Sequence, residues 1–321
     1  MNYKNQFEQI KQQWINFQKI EKNKKIRIRD AAKKLNTSEA ELLSTKIGSK
    51  VSFLKIDFHI FFEKILEIDK IMLLTRNDIL VHEVVIHGNQ LSRINDSIIY
   101  AKKKHPLLTI NFNQIKYSFY EQSKHGKKEL HSFQFFDKDG EAILKIYLKG
   151  NDLNKFRKIK YNYEVEYNYD IQKTIKEKSN QKKNYFDIDY EFSQENNSRF
   201  DTIKCSTVIL RQLLEYIVEI KIAVQIHGIG NNTIQYFYGK IKNIIDFGPW
   251  INIIDKEFNL HALEKEIRFN TINRYCENGK NYFSIDFYDN NNSHILGISS
   301  LKLFPEKFED ILKKIGVLKS A

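Results

Sequence analysis

Apolar residues near the start of the chain recur three or four apart, at Phe7, Ile10, Trp14 and Phe17. That spacing predicts an amphipathic helix with one buried stripe. In "IRIRDAAKKLNTSEAELLST", Ala31, Ala32 and Leu35 predict a short helix and Asn36-Thr37 a turn. Ser38 followed by Glu41 predicts a capping box, in which the hydroxyl accepts from the new helix and the carboxylate reaches back. Further on the pattern repeats. "FFEKILEIDKIMLLTRNDILVHE" runs from a helical period into strands, and "ILRQLLEYIVEIKIAVQIHGIGNNTIQYFYG" repeats that order.

A hairpin is expected over 132–150, where "SFQFFDKDGEAILKIYLKG" turns at Asp137 to Gly140 between alternating runs. "SIDFYDNNNSHILGISSLK", 284–302, is its counterpart, and Asp137 corresponds to Asp289, an offset of 152 residues. Each copy closes on a helix, as in "FPEKFEDILKKIGVL". The fold class is therefore α+β, an internal duplication of one unit, with antiparallel β-sheets covered by helices. Three regions follow: an N-terminal repeat with its leading helices over 1–150, a divergent connecting segment over 151–200, and a C-terminal repeat over 201–321. Within the connecting segment, alternating Tyr161, Tyr163, Val165 and Tyr167 suggest an edge strand, and the lysine-rich remainder reads as solvated, mobile loop.

Composition narrows the class. The chain of 321 residues is 41% hydrophobic, enough for a sizeable core, and its three prolines argue against a long extended linker. No apolar run approaches the roughly 18 residues of a membrane span, and the polar N-terminus lacks a signal-peptide core. Two cysteines, Cys205 and Cys276, make neither a disulfide framework nor a zinc pattern, so a reducing cytoplasm is the expected location. The net charge of +12 suggests an anionic partner, although lysines spread along a Lys-, Asn- and Ile-rich chain fit compositional drift better. The short helices over 29–43 also have the outline of a DNA-binding corner, but "SEAELL" puts glutamates where phosphates would lie. No Ser-His-Asp, paired-carboxylate or CxxC arrangement stands out.

Four segments in order, "RIRDAAKKLNTSEAELL", "LLTRNDILVHE", "SFQFFDKDGEAILKIYL" and "FGPWINIIDKEFNLHALEKEI", make the chain resemble the haemin-degrading HemS/ChuS/HmuS family over residues 26–315. The resemblance implies two HemS/ChuX-like repeats and a cytoplasmic protein of haem utilisation that carries haem. Ring opening of a haem-oxygenase kind to release iron is implied for some members. A haem-uptake transporter and an electron donor are the implied partners, membrane insertion is not implied, and nucleic acid ranks low. Haem requires an apolar slot, cations for its propionates and an axial ligand.

The residue carry-over is uneven. His82 matches the histidine of the family's TRN-x-x-x-VHE motif and is the candidate iron ligand, with a sheet-bonded histidine as the alternative. Arg76 is a candidate propionate clamp or a surface ion pair, His261 a candidate cleft residue, and Trp250 a cofactor contact or core packing. His227 occupies the equivalent strand of the second repeat, its neighbouring glycines suited to a turn. The family's axial histidine of the second repeat has no counterpart between His131 and His227, and its distal arginine aligns with Thr109. The reading is thus a haem-binding protein. A family member that has lost haem coordination, and a basic nucleic-acid binder, are the alternatives.

Overall fold

The protein is described by a computed structural model over residues 3–93, 98–101, 106–166, 201–205, 208–277, 279–300 and 305–318. The chain opens with α1 (Tyr3–Lys19), α2 (Ile28–Lys34), α3 (Glu39–Ser44), β1 (Val51–Leu54) and α4 (Phe58–Ile65). Then come β2 (Lys70–Arg76), β3 (Leu80–His87), β4 (Leu91–Arg93), β5 (Ile98–Ala101), β6 (Pro106–Ile110), β7 (Tyr117–His125), β8 (Lys128–Phe136), β9 (Ala142–Leu148) and α5 (Leu153–Tyr163). The C-terminal part holds β10 (Asp201–Cys205), α6 (Leu210–Ile220), β11 (Val224–Gly230), β12 (Thr233–Gly239), β13 (Ile244–Phe247), β14 (Trp250–Ile254) and β15 (Phe258–Ala262). It ends with β16 (Ile267–Glu277), β17 (Lys280–Asp289), β18 (His294–Ser300) and α7 (Pro305–Lys314).

Two compact units form, and their division does not follow the sequence halves. One takes the chain up to Leu73, with the segments that begin at Ile86 and Asn111. Its sheet runs β1-β7-β8-β9-β2, and the pairs β1·β7, β7·β8 and β8·β9 are antiparallel. The other takes Leu74–Val85 and Ile98–Ile110 together with the C-terminal part. It contains the strands β10-β16-β17-β18-β11-β12-β6-β5 and, separately, β3-β15-β14-β13.

The core of the first unit is aromatic. Phe61, Phe119, Phe133, Phe135, Phe136 and Phe156 are fully buried, with Phe133 and Phe156 centred 4.5 Å apart. Each such ring withdraws enough apolar surface to stabilise the fold by about 1.5–3 kcal/mol. In the second unit α6 buries Leu210, Leu213, Leu214 and Ile217, the helical spacing its sequence dictates, and α7 buries Phe308, Ile311 and Leu312.

The N-terminal helix and the capping box stand as read: Phe7, Ile10 and Trp14 are buried, and Ser38 and Glu41 cap α3 reciprocally. The DNA-binding outline does not survive. All six residues of α3 are buried, and Glu39 is paired with Lys145 inside the protein, so α3 has no face for a duplex. Tyr161 and Tyr163 belong to α5 and not to an edge strand, because Phe156 and Ile159 give that segment a buried helical stripe. Just past the helix Glu164 bridges Leu54 of β1, the Tyr163 carbonyl accepts from the Lys55 N–H, and the Val165 N–H donates to the Phe53 carbonyl, so a short edge contact remains. The alternation at Tyr167 and the mobile loop expected beyond it lie outside the described residues.

Candidate functional site

A tight turn fixes the first half of the site. The Asn77 Oδ1 accepts from the backbone N–H groups of Ile79 and Leu80, both at 2.7 Å, while its Nδ2 donates to the Ile229 carbonyl. With the Asn77 N–H bonded to the Leu80 carbonyl, Arg76 stands opposite Val81. The ladder then continues across the sheet. Val81 pairs with His261, His261 with Asn252, and Asn252 with Ile245. Directly paired residues share a face, so Arg76, Val81, His261, Asn252 and Ile245 form one row across β2, β3, β15, β14 and β13. Trp250 and Phe247, paired with each other, extend the same face, as does Ile254 opposite Asn259.

That face is unusual in what it exposes. Phe247 is 80% exposed, Ile245 52% and Ile254 40%, with Trp250, His261 and Arg76 half-buried beside them. An exposed cluster of large apolar side chains on a sheet marks a binding surface more often than a lone exposed leucine does. The imidazole is also oriented. The Asn252 Nδ2 donates to the carbonyls of Ile245 and Trp250, so its Oδ1 is the acceptor 2.5 Å from His261 Nδ1. His261 Nδ1 must donate, and in the neutral ring that leaves the lone pair on Nε2, the form a metal requires.

His82 lies on the opposite, buried face, paired with Leu260 and 1% exposed. Phe258 meets its ring edge-on at 5.0 Å and itself stacks on Phe237 at 4.0 Å. Gly228 backs it so closely that a Cβ there would lie 2.9 Å from the His82 Cδ2. This is what Gly228 is for: it sits inside β11 and makes room for the imidazole, while the turn falls at Asn231-Asn232. Burial, and then the proximity of His227, push the His82 pKa down to about 3. The Ile226 backbone favours the charged form slightly, but neither ring nitrogen has a hydrogen bond. His82 is a neutral, enclosed histidine. Of the four residues singled out by sequence, three share a face and His82 does not.

A second group escaped the sequence reading, apart from His227. His227 of β11, Asp286 of β17 and His294 of β18 point their ligating atoms at one another, all within 4.8 Å. A cleft of ≈ 240 Å³ opens beside His294, lined by Asn77, Glu266, Asp289 and Asn290 among others. It is polar, and smaller than the roughly 300–1,000 Å³ of organic-ligand pockets, so it does not suit a macrocycle. Asp286 and His294 lie outside the four segments that carry the resemblance, and their cross-strand register reveals them.

Residues 36–163 match the family model of the haemin-degrading HemS.ChuX domain. The matched range includes the segments "LLTRNDILVHE" and "SFQFFDKDGEAILKIYL". Haemin transport protein HmuS of Yersinia pestis is 25% identical over 276 residues, covering 77% of this chain and 79% of that protein. In structure, the haem-degrading enzyme ChuS of Escherichia coli O157:H7 matches with a TM-score of 0.80 at 19% identity, over 95% of this chain and 98% of that one. Apo-PhuS, a haem-binding protein of Pseudomonas aeruginosa, matches with a TM-score of 0.78 at 18% identity, over 98% of this chain and 99% of that one. The duplicated α+β architecture is thereby shared along nearly the whole chain.

Proposed function

We propose that this protein binds haem in haem-iron utilisation, with the macrocycle lying on the half-exposed face of β2-β3-β15-β14-β13. The observation that supports this most is the row itself: an exposed apolar patch, an oriented imidazole and a guanidinium on one side of one sheet. Phe247, Trp250, Ile245 and Ile254 would cover the ring, and His261 Nε2 would face the iron. Arg76 stands two strands from His261, roughly 10 Å, and would meet a propionate. Arginine suits that task because its planar fork matches a carboxylate. Bound haem would supply redox iron. What the chain's own residues offer is binding, and Thr109 contributes no charge toward steering oxygen, so carriage is favoured over ring opening.

The reading brings with it a cytoplasmic place of action, a haem-uptake transporter as donor, and an electron donor only if degradation also occurs. Among the described residues no helix is long and apolar enough to cross a membrane. Haemin titration followed at the Soret band tests the proposal. The wild-type chain is expected to saturate at one equivalent, and Arg76→Ala and His261→Ala each to weaken binding about tenfold, the equivalent of ~1.4 kcal/mol. His82→Leu should leave the titration unchanged. A wild-type chain that gives no spectral change has lost haem coordination, and the proposal fails. Loss confined to the His82 variant would move the iron to the buried face.

A further inference from the structure

We infer that His227, Asp286 and His294 form a binding site for a divalent transition metal of the Zn²⁺ or Fe²⁺ class, separate from the haem face and independent of that reading.

The three side chains converge through register. His227 pairs with Gly297, and Gly297 with Asp286, so His227 and Asp286 flank a glycine on one face of three adjacent strands. Strand alternation alone would turn His294, three residues before Gly297, to the other face. A bulge prevents this. Phe287 pairs with Leu296 but Tyr288 with His294, which leaves Ile295 as the extra residue and returns His294 to the face of Asp286. Tyr288 holds the ring there by stacking at 5.2 Å.

The distances suit a metal better than a hydrogen bond. Asp286 Oδ1 lies 3.7 Å from His227 Nε2 and 3.4 Å from His294 Nε2. Neither contact is a hydrogen bond, and both Asp286 Oδ1 and His294 Nε2 are buried without a hydrogen-bonding partner. The Asp286 side chain is only 5% exposed, so an unpartnered carboxylate oxygen there is costly. Metal–ligand bonds of ~2.0–2.2 Å at tetrahedral angles put neighbouring donors about 3.3–3.6 Å apart. The chemistry around the donors agrees. The Asn273 Nδ2 donates to the other carboxylate oxygen at 2.7 Å, fixing its orientation as second-sphere partners of metal ligands do.

The glycine is part of the site. A Cβ at Gly297 would lie 2.1 Å from His227 Cε1 and 2.3 Å from Asp286 Oδ1, so any side chain there would fill the space between the donors. His294, 23% exposed, also borders the polar cleft. Two imidazoles and one carboxylate are the protein ligands of many catalytic zinc and non-haem ferrous sites.

Equilibrium dialysis of the haem-free, chelator-treated chain against Zn²⁺, with Co²⁺ absorption as a spectroscopic probe, tests this. The expected result is one tight equivalent and the visible bands of low-coordinate Co²⁺. His294→Ala, at a partly exposed position, should retain the fold by circular dichroism and lose at least tenfold in affinity. Asn273→Ala keeps all three ligands and should lose about 10–100-fold. Haemin titration of His294→Ala should match the wild type, which separates the metal site from the haem face. No bound metal in the wild type, or equal affinity in the folded His294 variant, would overturn the inference.

Discussion

The two hairpins related by the duplication share their backbone almost residue for residue and differ in what they hold. In the first, Asp137 Oδ1 accepts from the N–H groups of Asp139 and Glu141, both at 2.9 Å. In the second, Asp289 Oδ1 accepts from Asn291 and Ser293, both at 2.8 Å. The bulge is duplicated too, with Phe136 paired to Ala142 as Tyr288 is to His294. At the offset of 152, Gln134, Ala142 and Lys145 therefore stand where Asp286, His294 and Gly297 stand in the second copy. The first copy places a covalent cation in the gap: Lys145 is buried and ion-paired with Glu39 of α3. The second leaves the gap open beside a carboxylate and two imidazoles. One scaffold thus holds a buried ion pair in one copy and a converged carboxylate with two imidazoles in the other.

Breaking the internal cation is expected to have the largest effect. Lys145→Ala removes one partner of a buried ion pair in which Glu39 is 2% exposed, and should destabilise the fold by about 3–5 kcal/mol in urea titration. The double variant Lys145→Met with Glu39→Gln should recover part of that loss, since removing one member of a buried pair costs more than replacing both. If Lys145→Ala costs no more than an exposed lysine would, the two hairpins do not differ in this way.

The turns sharpen the contrast at a smaller scale. Gly140 has φ 75° and Asn292 φ 61°, both in the left-handed region. Gly140, however, lies under α3: its carbonyl accepts from the Ala40 N–H, and a Cβ would fall 2.3 Å from Ser38 Oγ. Gly140→Ala should combine backbone strain of about 1–2 kcal/mol with overpacking of about 1–3 kcal/mol. Asn292→Ala should show the backbone strain alone. Equal losses in the two variants would mean that α3 does not press on the turn.

How far these features could be read from sequence depends on their range. The turn aspartates, the capping box at Ser38 and Glu41, and the helix-then-strands order are local patterns, and the offset between Asp137 and Asp289 exposes the duplication directly. The passage of Leu74–Val85 into the second unit is not local, because no property of "LLTRNDILVHE" says which strands it will join. The same limit hid how the candidate residues group. Motif matching singled out His82, yet pairing with Leu260 turns it to the buried face, while His261 and Arg76 gain significance only from the ladder through Val81. Asp286 and His294, eight residues apart, become neighbours through one extra residue at Ile295, which no alternation pattern announces.

The two imidazoles on opposite faces of β3 and β15 give the subtlest test. His82 is neutral in the folded chain, its pKa held near 3, whereas in the unfolded chain it returns to about 6.5. The unfolded state therefore binds the extra proton between those values. Stability from this residue is complete above about pH 6.5 and falls as pH drops through the window, by at most ~1.4 kcal/mol per pH unit. His227, whose pKa is lowered in the same sense, adds its own share, so the wild-type slope includes both. Replacing His82 by leucine removes two ring nitrogens that have no hydrogen bonds, so at pH 7.5 the change should lie within about 1 kcal/mol of neutral, of either sign. Between pH 6 and 4.5 the variant should lose one proton's worth of slope, measured as urea midpoints in chelator-treated protein. A His82→Leu chain with the full wild-type slope would mean that this imidazole already accepts a proton in the folded state, and that its enclosure by Phe258 and Gly228 is looser than its burial indicates.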